Sequence, residues 1–157
     1  MGHHVISLDP FNPFSVMAAQ QETRRLMEEF DRKVDEFIRE VAEIGAKAAE
    51  GSYGGSVTVT IEGYDDGVSI CADGKAVVFM EFGSGSAVAT GNMFAGEMPF
   101  EVRPGSWSEQ HAHQYERLGY WIFGGQKFTE VAPRNGMENA HKAIQQDMWN
   151  VAMRVFA

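Results

Sequence analysis

The sequence predicts an α+β domain: a long N-terminal helix, an antiparallel sheet of three meander strands plus one or two short strands, and a C-terminal helix packed on one sheet face. Three observations lead there. Apolar residues recur at helical spacing over the first third of the chain, eleven of the 17 glycines fall between Gly51 and Gly105, and helical spacing returns over the last twenty residues. With 157 residues, 44% of them hydrophobic, the chain has material for one sizeable core, so a single domain 1–157 is expected.

The first helix is predicted from about Ser15 to Glu50. Leu26, Phe30, Val34, Phe37, Val41, Ile44 and Ala48 recur three or four apart and form one stripe. Glu28 to Arg32, Glu29 to Lys33 and Glu43 to Lys47 are acid-before-base pairs four apart, which suit a solvated opposite face. Pro10 and Pro13 disfavour helix upstream, so Ser15 is the predicted N-cap and residues 1–14 an N-terminal arm. Gly51, Gly54 and Gly55 end the helix.

The middle region reads as a meander. Val57, Val59 and Ile61 alternate with Thr58, Thr60 and Glu62, a half-buried strand. Asp65-Asp66-Gly67 turns the chain into a second strand, Val68 to Ala72, and Asp73-Gly74 is a tight turn into a third, Lys75 to Phe82. On that third strand Ala76, Val78, Met80 and Phe82 would take one face and Val77 and Phe79 the other, so something must cover the second face. The strand ends on a lone carboxylate, Glu81, and breaks at a Gly83-Ser84-Gly85 corner.

Beyond it, glycines and prolines with scattered Met93, Phe94, Met98 and Phe100 predict a mobile insertion loop over 86–107 whose apolar groups dock on a partner. Ser106-Trp107-Ser108-Glu109 has capping-box spacing for a short helix through Arg117. Tyr120 to Phe123 and Lys127 to Val131 form a pair of short strands across Gly124-Gly125. Asn135 with Glu138 three later caps a final helix with the stripe Met137, Ala140, Ile144, Met148, Val151 and Val155.

The chemistry of the sequence is mostly exclusion. Gly83-Ser84-Gly85 lacks the spacing of a nucleophile elbow, no phosphate-cradling loop is present, and Ser84 has no His that the pattern places beside it. Glu81 could serve as a catalytic acid; the alternative is that it fixes the Gly corner by accepting backbone N–H bonds, or pairs with a basic residue of a neighbouring subunit. Glu109, His111, His113 and Glu116 are the one cluster of metal-ligand types, and a small metal-dependent hydrolase using His111 and His113 is the enzymatic alternative. In a helix those two histidines cannot share a face, whereas Glu109 and His113 can; in a strand the two histidines would align; no further spaced ligand follows. The expectation is therefore no enzyme, no metal and no cofactor. A ligand-binding α+β domain is a third reading. The net charge of −9 argues against nucleic-acid binding, the single Cys71 excludes an internal disulfide, and a soluble protein without signal peptide or membrane span is expected.

The Glu81-Phe82-Gly83-Ser84-Gly85 corner and Ala132-Pro133-Arg134, leading through Met137 into Ala140, resemble motifs of a bacteriophage family. It is the siphophage tail-component family named after gene product ten of the lambdoid phage HK-97. The order of elements is similar from Leu26 onward; Ser84 stands where Thr is commoner, and Asn135-Gly136-Met137 where an aromatic residue often sits. The resemblance implies a virion structural protein of the neck or tail, at head-tail joining or tail completion, forming a ring with copies of itself and contacting neighbouring neck or tail proteins. It would be found in the virion and, during assembly, in the bacterial host cytoplasm. The expected interface residues are Val77, Phe79, Glu81, Phe82, Gly83, Met93, Phe94, Met98 and Phe100.

Overall fold

The computed structural model describes residues 5–64, 67–74, 76–83, 91–97, 121–123, 126–128 and 131–157. Helix α1 (Pro13–Tyr53) is followed by strands β1 (Thr58–Tyr64) and β2 (Gly67–Asp73), then the short helix α2 (Val77–Phe82). A single 3₁₀ turn at Ala95–Glu97, strands β3 (Trp121–Phe123) and β4 (Gln126–Phe128), and helix α3 (Gly136–Phe156) complete the order. The α+β class is as expected.

Helix α1 starts at Pro13, with Asn12 as its N-cap: the Asn12 side chain accepts from the Phe14 N–H, and Pro13, lacking an N–H, sits where none is needed. Pro13 opens the helix, and Ser15, the expected N-cap, is not the cap; its hydroxyl accepts from the Asp9 N–H. At the other end Gly54, at φ 65°, takes the left-handed conformation that stops the helix, its N–H donating to the Glu50 carbonyl.

Helices α1 and α3 run antiparallel. Tyr53 near the end of α1 meets Gly136 at the start of α3, Glu40 pairs with Arg154, and the Phe30 and Phe37 rings lie 5.9 and 6.0 Å from that of Phe156. The buried seam of α1 is Ala42, Gly45, Ala46, Ala49 and Tyr53, one residue out of phase with the expected stripe; Val41, Ile44 and Ala48 flank it half-buried. Small residues let the helices approach, and a Cβ on Gly45 would come within 2.7 Å of both Ile70 and Ile144. The 41 residues of α1 span about 62 Å and the 21 of α3 about 32 Å, so the N-terminal part of α1 extends past the end of α3.

Strands β1 and β2 pair antiparallel with Val59 opposite Ala72 and Ile61 opposite Ile70, as the turn signal predicts. The third strand does not form. From Gly74 the chain leaves the sheet, and Val77–Phe82 is a helix whose ladder includes Met80 N–H to the Ala76 carbonyl and Gly83 N–H to that of Phe79. The first sheet has two described strands, β1 and β2, and the two-faced alternation expected for residues 76–82 does not apply. A short run apolar on every side suits a buried helix as well as a buried strand, and here packing decides. Met80 joins Ala49, Tyr53, Val57 and Ala140 in the central cluster, with Val77 and Met137 against it; Phe82 anchors a second cluster with Val78, Phe79 and Phe94. The expected pair of short strands is present as β3 and β4, antiparallel, with Ile122 opposite Lys127.

Candidate functional site

The chemically distinctive place in the described structure is a buried carboxylate knot where α1, α2, the 91–97 segment and α3 converge. Its centre is Glu81, 5% exposed. Helix α2 delivers it there, because a helical turn puts Met80 and Glu81 against α1 and α3, where a strand would have sent them to opposite faces.

Both carboxylate oxygens are fully engaged. Oε2 accepts from the Tyr53 hydroxyl at 2.7 Å and the Met137 N–H at 2.8 Å; Oε1 accepts from Asn92 Nδ2 at 2.9 Å and the Glu138 N–H at 3.3 Å. Four donors fill the four acceptor positions of one carboxylate. Two belong to the first turn of α3, whose peptide N–H groups have no partner within the helix and whose dipole favours a negative charge. Glu81 thus does for α3 what the side chain of its N-cap residue, Asn135, does not, from 56 residues before Met137 in sequence.

The local cap is disabled by backbone shape. Asn135 sits at φ 51°, ψ 44° in the left-handed region, and its side chain makes no capping bond; its Oδ1 accepts from Asn92 instead. Asn tolerates that conformation better than most residues. The Asn135 and Glu138 signature marked where the helix begins, while Glu138 itself pairs with Lys142 at 2.6 Å.

The surroundings brace the knot. The Arg134 N–H donates to the Met80 carbonyl at 2.6 Å, its guanidinium donates to the Tyr53 carbonyl at 2.9 Å, and Asn139 Nδ2 reaches the Ser52 hydroxyl at 3.0 Å. Gly136 lies flat under the Tyr53 ring, where a Cβ would be 2.3 Å from the nearest ring carbon. Burial first, then the hydrogen bond and charge of Glu81, push the Tyr53 phenol above its ordinary value. A neutral phenol donating to a carboxylate is the stable state.

An apolar pocket of about 270 Å³ opens beside the knot, walled by Val77, Val78, Phe82, Phe94 and Met137. That is a little below the usual size of small-molecule sites; of its polar lining residues Tyr53 and Glu81 are already bonded to each other, and Glu97 stands exposed at its edge. Among the described residues no group of three or more His, Cys, Asp and Glu could hold a metal ion, and no described helix is long and apolar enough to cross a membrane.

Of the expected interface residues, Glu81, Phe82 and Gly83 are buried within the chain, and Val77 and Phe79 are half-buried against its own clusters. Because Val77–Phe82 is a helix, Val77 and Phe79 do not form the second sheet face that would need an outside cover. Glu81 does accept backbone N–H bonds, those of α3 and not of the Gly corner. Met93 is exposed and Phe94 packs on Phe82. Met98, Phe100, Ser84, the predicted helix through Arg117, and His111 with His113 lie outside the described residues, as does most of the 86–107 loop. Sequence reading missed Tyr53, Asn92 and Arg134 as parts of the knot.

Compared with protein-family models, curated proteins and solved structures, the chain matches none.

Proposed function

We propose that this chain is a structural subunit of a tailed bacteriophage or prophage, acting in the neck or tail at head-tail joining or tail completion as one of several identical subunits of a ring. The observation that carries the reading is the junction of the two stretches on which the family resemblance rests. Glu81, from the Glu-Phe-Gly corner, caps the helix that Pro133-Arg134 leads into, and the Arg134 N–H closes on the Met80 carbonyl beside it. Stretches that build one knot have a shared structural reason to recur together. A carboxylate whose acceptor positions are all filled by its own chain serves as a fastener; to act as a proton carrier it would have to uncap α3.

The charge of −9 suits this role, because an acidic ring repels the DNA that has to pass through it. Native mass spectrometry and negative-stain microscopy of the full chain, alone and with neighbouring neck proteins, test the assembly. Deleting its gene from an inducible phage genome tests the role: untailed heads, restored to tailed particles by complementation, are expected. Normal tailed virions from the deletion, or a monomer under every condition, would overturn it.

A further inference from the structure

We propose that residues Val5–Leu8 of one subunit dock in a groove between α1 and strands β1 and β2 of the next, so that copies of this chain are joined by exchanged N-terminal arms. The arm is apolar yet uncovered: Val5 is 88% exposed, Ile6 39%, Leu8 58% and Phe11 95%. It is held at its root, where the Asp9 N–H donates to the Ser15 hydroxyl, the Phe11 N–H to Asp9 Oδ1 and the Asn12 N–H to the Asp9 carbonyl. Val5–Leu8 leaves that fixed turn as uncharged chain in neither helix nor strand.

A receptor of matching chemistry lies elsewhere on the same molecule. Val34 and Ile38 of α1 face Ile61, Tyr64 and Val68 of the hairpin across an open groove of about 520 Å³. Among the described lining residues the charged ones are Asp35 and Arg39, of opposite sign. Ile61 and Tyr64 are exposed, and the groove is large enough for several aliphatic side chains.

Geometry decides whose arm enters. Val34, the nearest groove residue on α1, is about 33 Å from Asn12 along the helix axis. The chain from Asn12 back to Val5 spans at most about 24 Å even fully extended, and Leu8 stays within about 14 Å. The arm therefore falls short of its own groove, and the occupant belongs to another copy. Arm and groove are different surfaces, so the contact is head-to-tail, the kind that closes into a ring when its rotation allows. Ring closure rests on the function proposed above; arm exchange requires self-association alone.

The test uses the full chain with Cys71→Ser, in two versions of distinguishable mass, one carrying Leu8→Cys and the other Ile61→Cys. Mixing and mild oxidation should give a disulfide-linked pair between position 8 of one copy and position 61 of the other. Absence of the linked pair overturns the inference. So does an internally bridged monomer formed when both cysteines are placed in one chain. In sedimentation, Ile6→Ser with Leu8→Ser, and separately Ile38→Asp, should weaken self-association about 100-fold or more. Wild-type and variant chains that assemble equally well would refute the arm and leave the ring standing. Cross-linked open chains would keep the arm and refute the ring, and a wild-type chain that stays monomeric refutes both.

Discussion

Replacing Glu81 should unfasten α3 from the rest of the fold, and the size of the effect follows from what the carboxylate holds. Glu81→Ala leaves the Met137 and Glu138 N–H groups without their cap, leaves the Tyr53 hydroxyl facing an apolar side chain, and removes a negative charge from a helix N-terminus. A lost cap is worth about 1–2 kcal/mol, a partly buried charge at a helix end up to about 2, and an orphaned buried donor about 1–3. These losses overlap because the groups share one partner, and Asn92 retains Asn135, so the net cost is about 3–5 kcal/mol. For a chain of 157 residues that corresponds to a melting temperature lowered by roughly 6–20 °C. Glu81→Gln keeps the shape and one acceptor oxygen but turns an NH₂ group toward two donors, and should lose about 2 kcal/mol. Urea unfolding followed by circular dichroism measures both. Combining Glu81→Ala with Tyr53→Phe should cost less than the two single changes added together, because they break a shared bond. A Glu81→Ala protein within about 0.5 kcal/mol of wild type would refute the account of Glu81 as the cap of α3.

The two glycines at the helix seam should respond to different degrees. Gly136→Ala drives a Cβ into the Tyr53 ring, which is held by Glu81, and should cost about 2–3 kcal/mol in the same unfolding assay. At Gly45→Ala the obstacles are the methyl ends of Ile70 and Ile144, which can rotate away; the helix propensity gained, about 1 kcal/mol, should bring that change to within about 1 kcal/mol of wild type. Alkaline stability should carry the signature of Tyr53. Its phenol is raised in the folded state, so the native protein keeps the proton when the unfolded chain begins to release it. The stability from this group is complete below pH 10, the ordinary phenol value, and is lost as the pH rises above it. Tyr53→Phe, less stable by about 1 kcal/mol at pH 7, should show a shallower decline between about pH 10 and 11.5 when unfolding is measured across that range. Parallel declines would show that Tyr53 does not couple to folding.

How far the fold could be read in the sequence depends on how local each signal is. The two long helices and the β1–β2 hairpin follow from repeats and turn residues only a few positions apart, and they are where the pattern puts them. The phase of α1 was harder to read. The bulky stripe dominated the pattern, whereas the closest contact runs along Ala42, Gly45, Ala46 and Ala49, residues whose weak apolar signal conceals that their smallness is what lets another helix approach. Val77–Phe82 is six residues long and apolar around nearly its whole circumference, so neither a period of two nor one of 3.6 can be recognised; only its neighbours select the helix. The cap of α3 is the least local feature of all. One half of it is a lone acid in the sequence; the other shows only in the backbone, because Asn135 with Glu138 reads as a local cap. Asn135-Gly136 opens a helix with a residue that, once left-handed, cannot turn its own side chain back onto the first N–H groups. Glu81 is a lone acid at the end of an apolar run, six residues from the nearest basic residue, Lys75. A helix start lacking an acceptor and a buried carboxylate lacking a donor satisfy each other, and the 56 residues between them are why spacing alone could not pair them.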